Sequence, residues 1–274
     1  MGIDAVINPG LTPEKFLTAL EANMFEFYAG YARSPNSELY QDASYLRVFT
    51  GLPYAMFNGI FGAQLTPGTL DGAISDVIDY MANKKVPCCW YVTPGVRPAG
   101  LSEHLKRHGF TFGGFSPGMW IELDAISENQ MIPPRLDIGV VEDGEMVKTW
   151  TEVVWPAMGF SEAGRQRFLE MENFLGIDPQ SHRLRYLAYL NGKPVATSLL
   201  LLHAGVAGIY AVSTLPEARG KGIGGAITLA PLRQARDRGY HIGTLQASRM
   251  GFPVYRRLGF QEVFQVQEYE WKPQ

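Results

Sequence analysis

The residues best suited to chemistry lie in one short run, Arg219-Gly220-Lys221-Gly222-Ile223-Gly224-Gly225. Four glycines and two cations fall where a strand pattern ending near Thr214, broken at Pro216, gives way to a helical one. The first N–H groups of a helix have no partner within it, and the positive end of the helix dipole lies at the same place. Such a turn suits a phosphate. Glycine lets the backbone close on the ligand and take positive φ, and Arg219 and Lys221 add charge there.

Three phosphate-binding patterns compete for this run. A P-loop needs Gly-Lys followed by Ser or Thr, and Lys221 is followed by Gly222. A dinucleotide turn needs G-x-G-x-x-G, a spacing that Gly220, Gly222 and Gly225 meet. No acidic residue ends a following strand to hold a ribose, however, and the turn comes late, after several hairpin-connected strands. The third pattern fits best: Arg219-x-x-Gly222-x-Gly224, preceded by Thr214-x-Pro216. A strand over 242–247 follows, then Ser248, and seven residues on Tyr255 before Leu258-Gly259-Phe260. With these two blocks in order, the chain from about Leu136 to Lys272 resembles the GCN5-related N-acetyltransferase (GNAT) superfamily, and the N-terminal half resembles a degenerate copy, as in tandem members.

The resemblance implies an α/β fold, an α+β mixed sheet of the tandem GNAT-like acyl-CoA N-acyltransferase type, with acetyl-CoA as cosubstrate and no metal. Backbone groups of Val212, Ser213 and Thr214 would hold the pantetheine arm, on a strand that often carries a bulge, and one N–H there would stabilise the oxyanion. Arg219, Gly220, Lys221, Gly222, Ile223, Gly224 and Gly225 would hold the pyrophosphate. Tyr255 would be the general acid that protonates the departing thiolate. Ser248 has two readings, a pantetheine contact or a helix N-cap. The acceptor is expected to be a small or amino-acid-like amine that attacks directly, because no acidic groove for a basic peptide is visible. Where many relatives carry Glu on the strand before the tyrosine, 242–246 has no carboxylate, and Gln246 cannot take a proton. His203, a water chain or an amine that arrives neutral is left as the route for the proton. The alternative reading is a catalytically silent acyl-CoA-binding or sensor protein.

The elements that must position these residues can be read from periodicity. The second half runs as strand 136–141, helices 143–156 and 161–175, strands 184–191, 194–202 and 207–214, helix 221–238, strand 241–247, a short helix 251–257, and closing strands 260–264 and 266–271. Asn191-Gly192 marks a hairpin turn, and Pro231 is expected to kink or break its helix. The first half reads as a helix over 13–30, aromatic-rich strands between 45 and 65, a helix over 70–83 and a strand over 88–93. Leu105-Lys106-Arg107-His108-Gly109-Phe110 parallels Tyr255-Arg256-Arg257-Leu258-Gly259-Phe260 at an offset of about 150, which reads as a diverged tandem repeat or as chance similarity. Leu105 then stands where Tyr255 does, and no Arg-x-x-Gly-x-Gly precedes residue 135, so the first copy should lack a cofactor site. Ile132-Pro133-Pro134-Arg135 suggests domains 1–132 and 136–274. Most of the first half's aromatics should be its own core, and Asn58 is a candidate polar contact to the acceptor.

Composition narrows the partners. The chain has 274 residues and a net charge of −3, which argues against a nucleic-acid binder. Yet eight Lys or Arg and one acidic residue, Asp237, fall between Arg219 and Arg257. The adjacent Cys88 and Cys89 suit neither a zinc site nor a disulfide framework and read as buried apolar residues in a reducing compartment. His104 and His108, four apart on a helix, read as a solvated face in preference to a metal site. Met1 to Glu14 lacks a signal pattern, and the apolar run 195–212 contains a His203-Ala204-Gly205 turn. A cytoplasmic protein with no membrane span is expected; nothing in the sequence bears on oligomeric state.

Overall fold

The computed structural model describes residues 12–127 and 132–274, so the N-terminal reading from Met1 to residue 11 lies outside the described residues. The fold is mixed α/β. The chain forms two compact units, Met1–Asn23 with Gly118–Val263 and Met24–Pro117 with Phe264–Gln274. The expected division, 1–132 and 136–274, follows the chain; the compact units do not. Helix α1 (Pro13–Ala32) and strands β5 (Thr111–Glu122) and β11 (Gln261–Trp271) each belong partly to one unit and partly to the other. A proline-rich linker marks where chain direction breaks, whereas a compact unit is set by which strands pair.

Unit one contains the glycine-rich run. Its strands β6 (Leu136–Val140), β7 (Arg183–Leu190), β8 (Lys193–His203) and β9 (Val206–Thr214) pair antiparallel in chain order. Strand β10 (Ile242–Gln246) runs parallel to β9 and antiparallel to the Gly118–Glu122 part of β5. The apolar run 195–212 is the β8–β9 hairpin, turned by Ala204 (φ 53°) and Gly205 (φ 77°). Residues 191 and 192 turn the β7–β8 hairpin with φ of 51° and 76°, the left-handed pair that fits strand twist. Helices α4 (Gly144–Ala157), α5 (Arg165–Phe174), α6 (Ile223–Asp237) and α7 (Phe252–Leu258) complete the unit. Ile227, Leu232 and Ala235 of α6 pack with Leu184, Leu200, Ile209 and Leu245 of the strands.

Pro231 does not break α6, which is continuous from Ile223 to Asp237. Proline has no N–H to give the carbonyl four residues back, that of Ile227. The buried Ser198 hydroxyl donates to that carbonyl instead, at 2.8 Å. The two expected closing strands are one, β11, and its second half pairs with a strand of unit two.

Unit two is built from β1 (Glu38–Gln41), β2 (Leu46–Phe49), β3 (Gly59–Phe61), helix α2 (Leu70–Lys84), β4 (Cys88–Val92) and helix α3 (Leu101–Arg107). β1, β2 and β3 pair antiparallel, β3 and β4 parallel, and β4 is closed by Gln267–Trp271 of β11. Ile74, Val77 and Met81 of α2 pack with Trp90, Leu101, Leu105 and Phe110. In each half the strands on either side of the first helix pair parallel, β3 with β4 about α2 and β9 with β10 about α6. Phe110 N–H donates to Leu105 O and Phe260 N–H to Tyr255 O, both at 3.0 Å, and both phenylalanines are buried.

Other first-half expectations change here. Asn58 is wholly buried: its amide nitrogen reaches the carbonyls of Leu52, Tyr54 and Pro87, and its Oδ1 accepts from Thr50 N–H. It is a backbone clasp, not an acceptor contact, because every group a ligand could use is taken. His104 Nδ1 and His108 Nε2 both meet Asp71 Oδ1, at 2.8 and 3.0 Å, a carboxylate brought in from α2. Both cysteines are free and buried, and burial pushes the Cys88 thiol up to about 12. Among the described residues no helix is long and apolar enough to cross a membrane.

Candidate functional site

The site grows from the second half of β9. Thr197 of β8 faces Ser213 and Leu199 faces Tyr210, so Ala211 and Val212 together oppose Ser198 alone. This is a bulge, and Ala211 takes a left-handed φ of 49° within it. The Thr197 hydroxyl donates to Ala211 O at 2.9 Å. Across β9 the parallel ladder to β10 joins Ala207 with Gly243 and Gly208 with Thr244 and goes no further. Residues 209–214 therefore lie outside that ladder.

At the end of β9 the chain passes through a 3-10 turn, Pro216–Ala218, into the glycine run. Gly220 and Gly222 have φ of 75° and 79°, and Gly222 is the N-cap of α6. No side chain caps this helix. The first helical bond runs from Ala226 N–H to Gly222 O at 3.1 Å, so the amides of Ile223, Gly224 and Gly225 precede it. A Cβ on Gly224 would lie 3.7 Å from Thr214 Oγ1, and one on Gly225 would lie 3.5 Å from Leu258 of α7. The turn thus lies close to both β9 and α7. Arg219 is used mainly as a brace: its Nε donates to Thr214 O at 3.0 Å and its Nη2 to Ala157 O at 3.3 Å. Lys221 is exposed, with Nζ 3.2 Å from Glu217 O.

Tyr255 lies on α7 and is 7% exposed. Burial pushes its phenol up to about 12, against a smaller opposing effect from a hydrogen bond with the Thr228 hydroxyl. Thr228 Oγ1 also bonds Gly224 O at 2.8 Å, so Thr228 links the phenol to the first turn of α6. Ser248 Oγ accepts from Gly251 N–H at 3.1 Å in the turn that leads into α7, whose N-cap is Gly251. The Tyr255 ring packs where a Gly251 side chain would begin, 2.7 Å from its ideal Cβ.

A carboxylate on β10 is absent, as the sequence requires. Gln246 ends that strand opposite Gly118 of β5, and its buried Nε2 has no hydrogen-bond partner. His203 ends β8, with its carbonyl bonded to Asn23 Nδ2 at 3.1 Å.

Residues 181–262 match the profile of the acetyltransferase (GNAT) domain, a stretch that contains the bulged strand, the glycine turn and Tyr255. The chain carries a GNAT domain. Mycothiol acetyltransferase from Arthrobacter sp. (strain FB24) is 38% identical over 61 residues, 21% of this chain and 19% of that protein. The enzyme of the same name from Pseudarthrobacter chlorophenolicus is 39% identical over 61 residues, again 21% and 19%. The match spans only about a fifth of the length of these relatives. Among solved structures, a GCN5-related N-acetyltransferase from Kribbella flavida superposes with a TM-score of 0.69 at 20% identity, covering 93% of this chain and 96% of that one. A tandem GNAT protein from the clavulanic acid biosynthesis pathway gives 0.60 at 11% identity, covering 95% and 94%. At these identities the likeness is one of fold.

Within the GNAT domain the structure brings Thr214 beside Arg219 and Gly224, with Val212 and Ser213 preceding it on β9, and it links Tyr255 to Gly224 through Thr228. Ser248 Oγ and the Tyr255 ring both lie against Gly251, 3.3 and 2.7 Å from its ideal Cβ. Thr197 and Thr228, both wholly buried, were missed by sequence reasoning. The motif could not reveal them, because each acts through a contact far along the chain or one helical turn away.

Proposed function

We propose that the GNAT domain transfers an acetyl group from acetyl-CoA to the amine of a small acceptor by direct attack. The reading rests above all on one observation: a bulged strand end, outside the ladder to β10, leads through a 3-10 turn and a glycine run into an uncapped helix start. The donor set suits a pyrophosphate, with helix amides turned by two left-handed glycines and a lysine beside them. When bound, acetyl-CoA supplies the activated thioester.

This chain's residues then have separate tasks. Gly220, Gly222, Ile223, Gly224 and Gly225 offer backbone donors to the diphosphate, and Lys221 adds charge. Arg219 holds the turn against Thr214 and Ala157. Backbone groups of Val212, Ser213 and Thr214 orient the pantetheine arm. Tyr255 gives its proton to sulfur as the thiolate leaves; a neutral phenol at neutral pH is the form that work requires, and burial keeps it so. The acceptor nitrogen gives its proton to solvent. The short match to mycothiol acetyltransferases is too partial to carry their acceptor over. Unit two is proposed to be a diverged copy without a cofactor site of its own: at the start of α2, Thr69 Oγ1 accepts from Thr66 N–H, and the turn has none of the glycine motif.

The absence of a carboxylate on β10 favours a second reading, an acyl-CoA-binding or sensor protein without turnover. Calorimetry with acetyl-CoA, CoA and ATP, followed by an amine panel monitored for free thiol, separates the two. Thiol release on adding an amine supports the transferase, and binding without release supports the sensor. No binding of either thioester or CoA rejects both.

A further inference from the structure

The bulge in β9 holds an alanine, not a glycine, at φ 49°. For an L-residue that conformation costs about 1–2 kcal/mol, so the surrounding structure must hold it there. The Thr197 hydroxyl does so from β8, bonding Ala211 O at 2.9 Å from a wholly buried position. A trans peptide is planar, with its C=O and N–H opposed. With the Ala211 carbonyl drawn toward β8, the N–H of Val212 faces away from β8. That is the side on which β9 pairs with β10, and the ladder to β10 has already ended at Gly208.

We propose that Thr197 is a positioning residue: by fixing the Ala211–Val212 peptide it makes the Val212 amide the oxyanion donor of acetyl transfer. This rests on the transferase reading above. As the acceptor nitrogen bonds to the thioester carbon, the carbonyl π pair moves onto oxygen, and Val212 N–H donates to that oxygen. The pair on oxygen then re-forms the carbonyl as the C–S bond breaks, and the C–S electron pair leaves with sulfur, which takes the Tyr255 proton. The nitrogen loses its proton to solvent, and solvent restores the phenol. Thr197 touches none of the reacting atoms. It sets the direction of a donor that cannot turn without rotating the whole peptide.

The test compares Thr197→Val, which keeps the shape and loses the hydroxyl, with Thr197→Ser, which keeps the hydroxyl. Removing an oxyanion donor outright costs about 100- to 1,000-fold in kcat; a misdirected one should cost about 10- to 100-fold. The expected result is that loss of kcat in Thr197→Val with KM for acetyl-CoA little changed, and recovery in Thr197→Ser. In parallel, amide NMR follows Val212 while a ketone analogue of acetyl-CoA, with CH2 in place of the sulfur, is added. The Val212 N–H should move downfield in the wild type and in Thr197→Ser, and less in Thr197→Val. A Val212 signal unmoved in the wild type on saturation with the analogue overturns the proposal, whether or not Thr197→Val folds. So does wild-type kcat in Thr197→Val. A wild type that binds neither acetyl-CoA nor the analogue overturns the transferase reading itself, a result distinct from binding without a response at Val212.

Discussion

The Ser198 hydroxyl donates to the carbonyl of Ile227, the oxygen that Pro231 leaves without its helical amide. An unbonded buried carbonyl costs about 1–3 kcal/mol. Ser198→Ala should lose about that much stability in urea denaturation. In a Pro231→Ala background, where an amide returns to the helix, the same substitution should cost less. Equal costs in both backgrounds would mean that the hydroxyl does not compensate for the proline.

Tyr255→Phe should lower kcat by about 100-fold or more, the usual scale for a lost general acid. Thiol release under single-turnover conditions measures it, and turnover at the wild-type rate removes Tyr255 from the mechanism. The same variant carries a pH signature. In the wild type the Tyr255 phenol titrates near 10.0 when unfolded and at about 12 when folded, so below pH 10 both states hold the proton and nothing is lost. As pH rises from about 10 to 12 the unfolded state ionises first and the folded state loses up to about 3 kcal/mol. Thermal melts across that window should fall more steeply for the wild type than for Tyr255→Phe.

Glu268 in unit two is a half-buried acid whose pKa is raised by removal from water, with the Ser116 hydroxyl, at 2.7 Å, opposing and Glu270 adding repulsion. A raised carboxyl favours the folded state while protonated. Stability then falls as pH rises from the ordinary glutamate range through the folded pKa. Glu268→Gln should flatten that fall and raise the melting temperature at neutral pH. An unchanged or lower melting temperature for the variant at pH 7 would contradict the assignment.

Glu172 and Arg185 form a buried pair that fastens α5 to β7. Arg185 Nε meets Glu172 Oε2 at 2.5 Å, and the other two guanidinium nitrogens bond Gly176 O and Glu172 O. Arg183 Nη2 also lies 3.6 Å from Glu172 Oε1, so Glu172→Ala removes the carboxylate from two buried guanidinium groups and should cost about 3–5 kcal/mol in chemical denaturation. A cost below 1 kcal/mol would show that the site admits water freely.

Arg219 and Lys221 should respond differently to mutation. Arg219 braces two carbonyls that lysine's single head cannot span, so Arg219→Lys should weaken CoA binding nearly as much as Arg219→Ala. Lys221→Ala should lose a salt-screened attraction of about 1 kcal/mol, fading as ionic strength rises. Calorimetry at low and high salt distinguishes the two, and full recovery of affinity in Arg219→Lys would refute the brace.

Much of the site was legible because its signals are local. The glycine run, the residue pattern around Tyr255 and the periodic elements of the second half each depend on neighbours within a few positions, and the helix and strands appear close to where those neighbours place them. What was hidden depends on distant partners. Pro231 looks like a breaker until Ser198, in another strand, is known to face Ile227. Asn58 looks available until four backbone groups are found to occupy it, and His104 and His108 look solvated until α2 supplies Asp71. The boundary near Pro133 was read from composition, which carries no information about which strand a β-edge will choose.

The last strand of each half closes the sheet of the other unit: Gly118–Glu122 flanks β10, and Gln267–Trp271 flanks β4. A fragment cut at the proline linker would keep β10 and lose its neighbour, leaving an open edge ready to seize any passing strand, including one from a second fragment. Each half of the chain carries the strand that closes the other's sheet, so a fragment cut at the linker lacks the strand that closes its own.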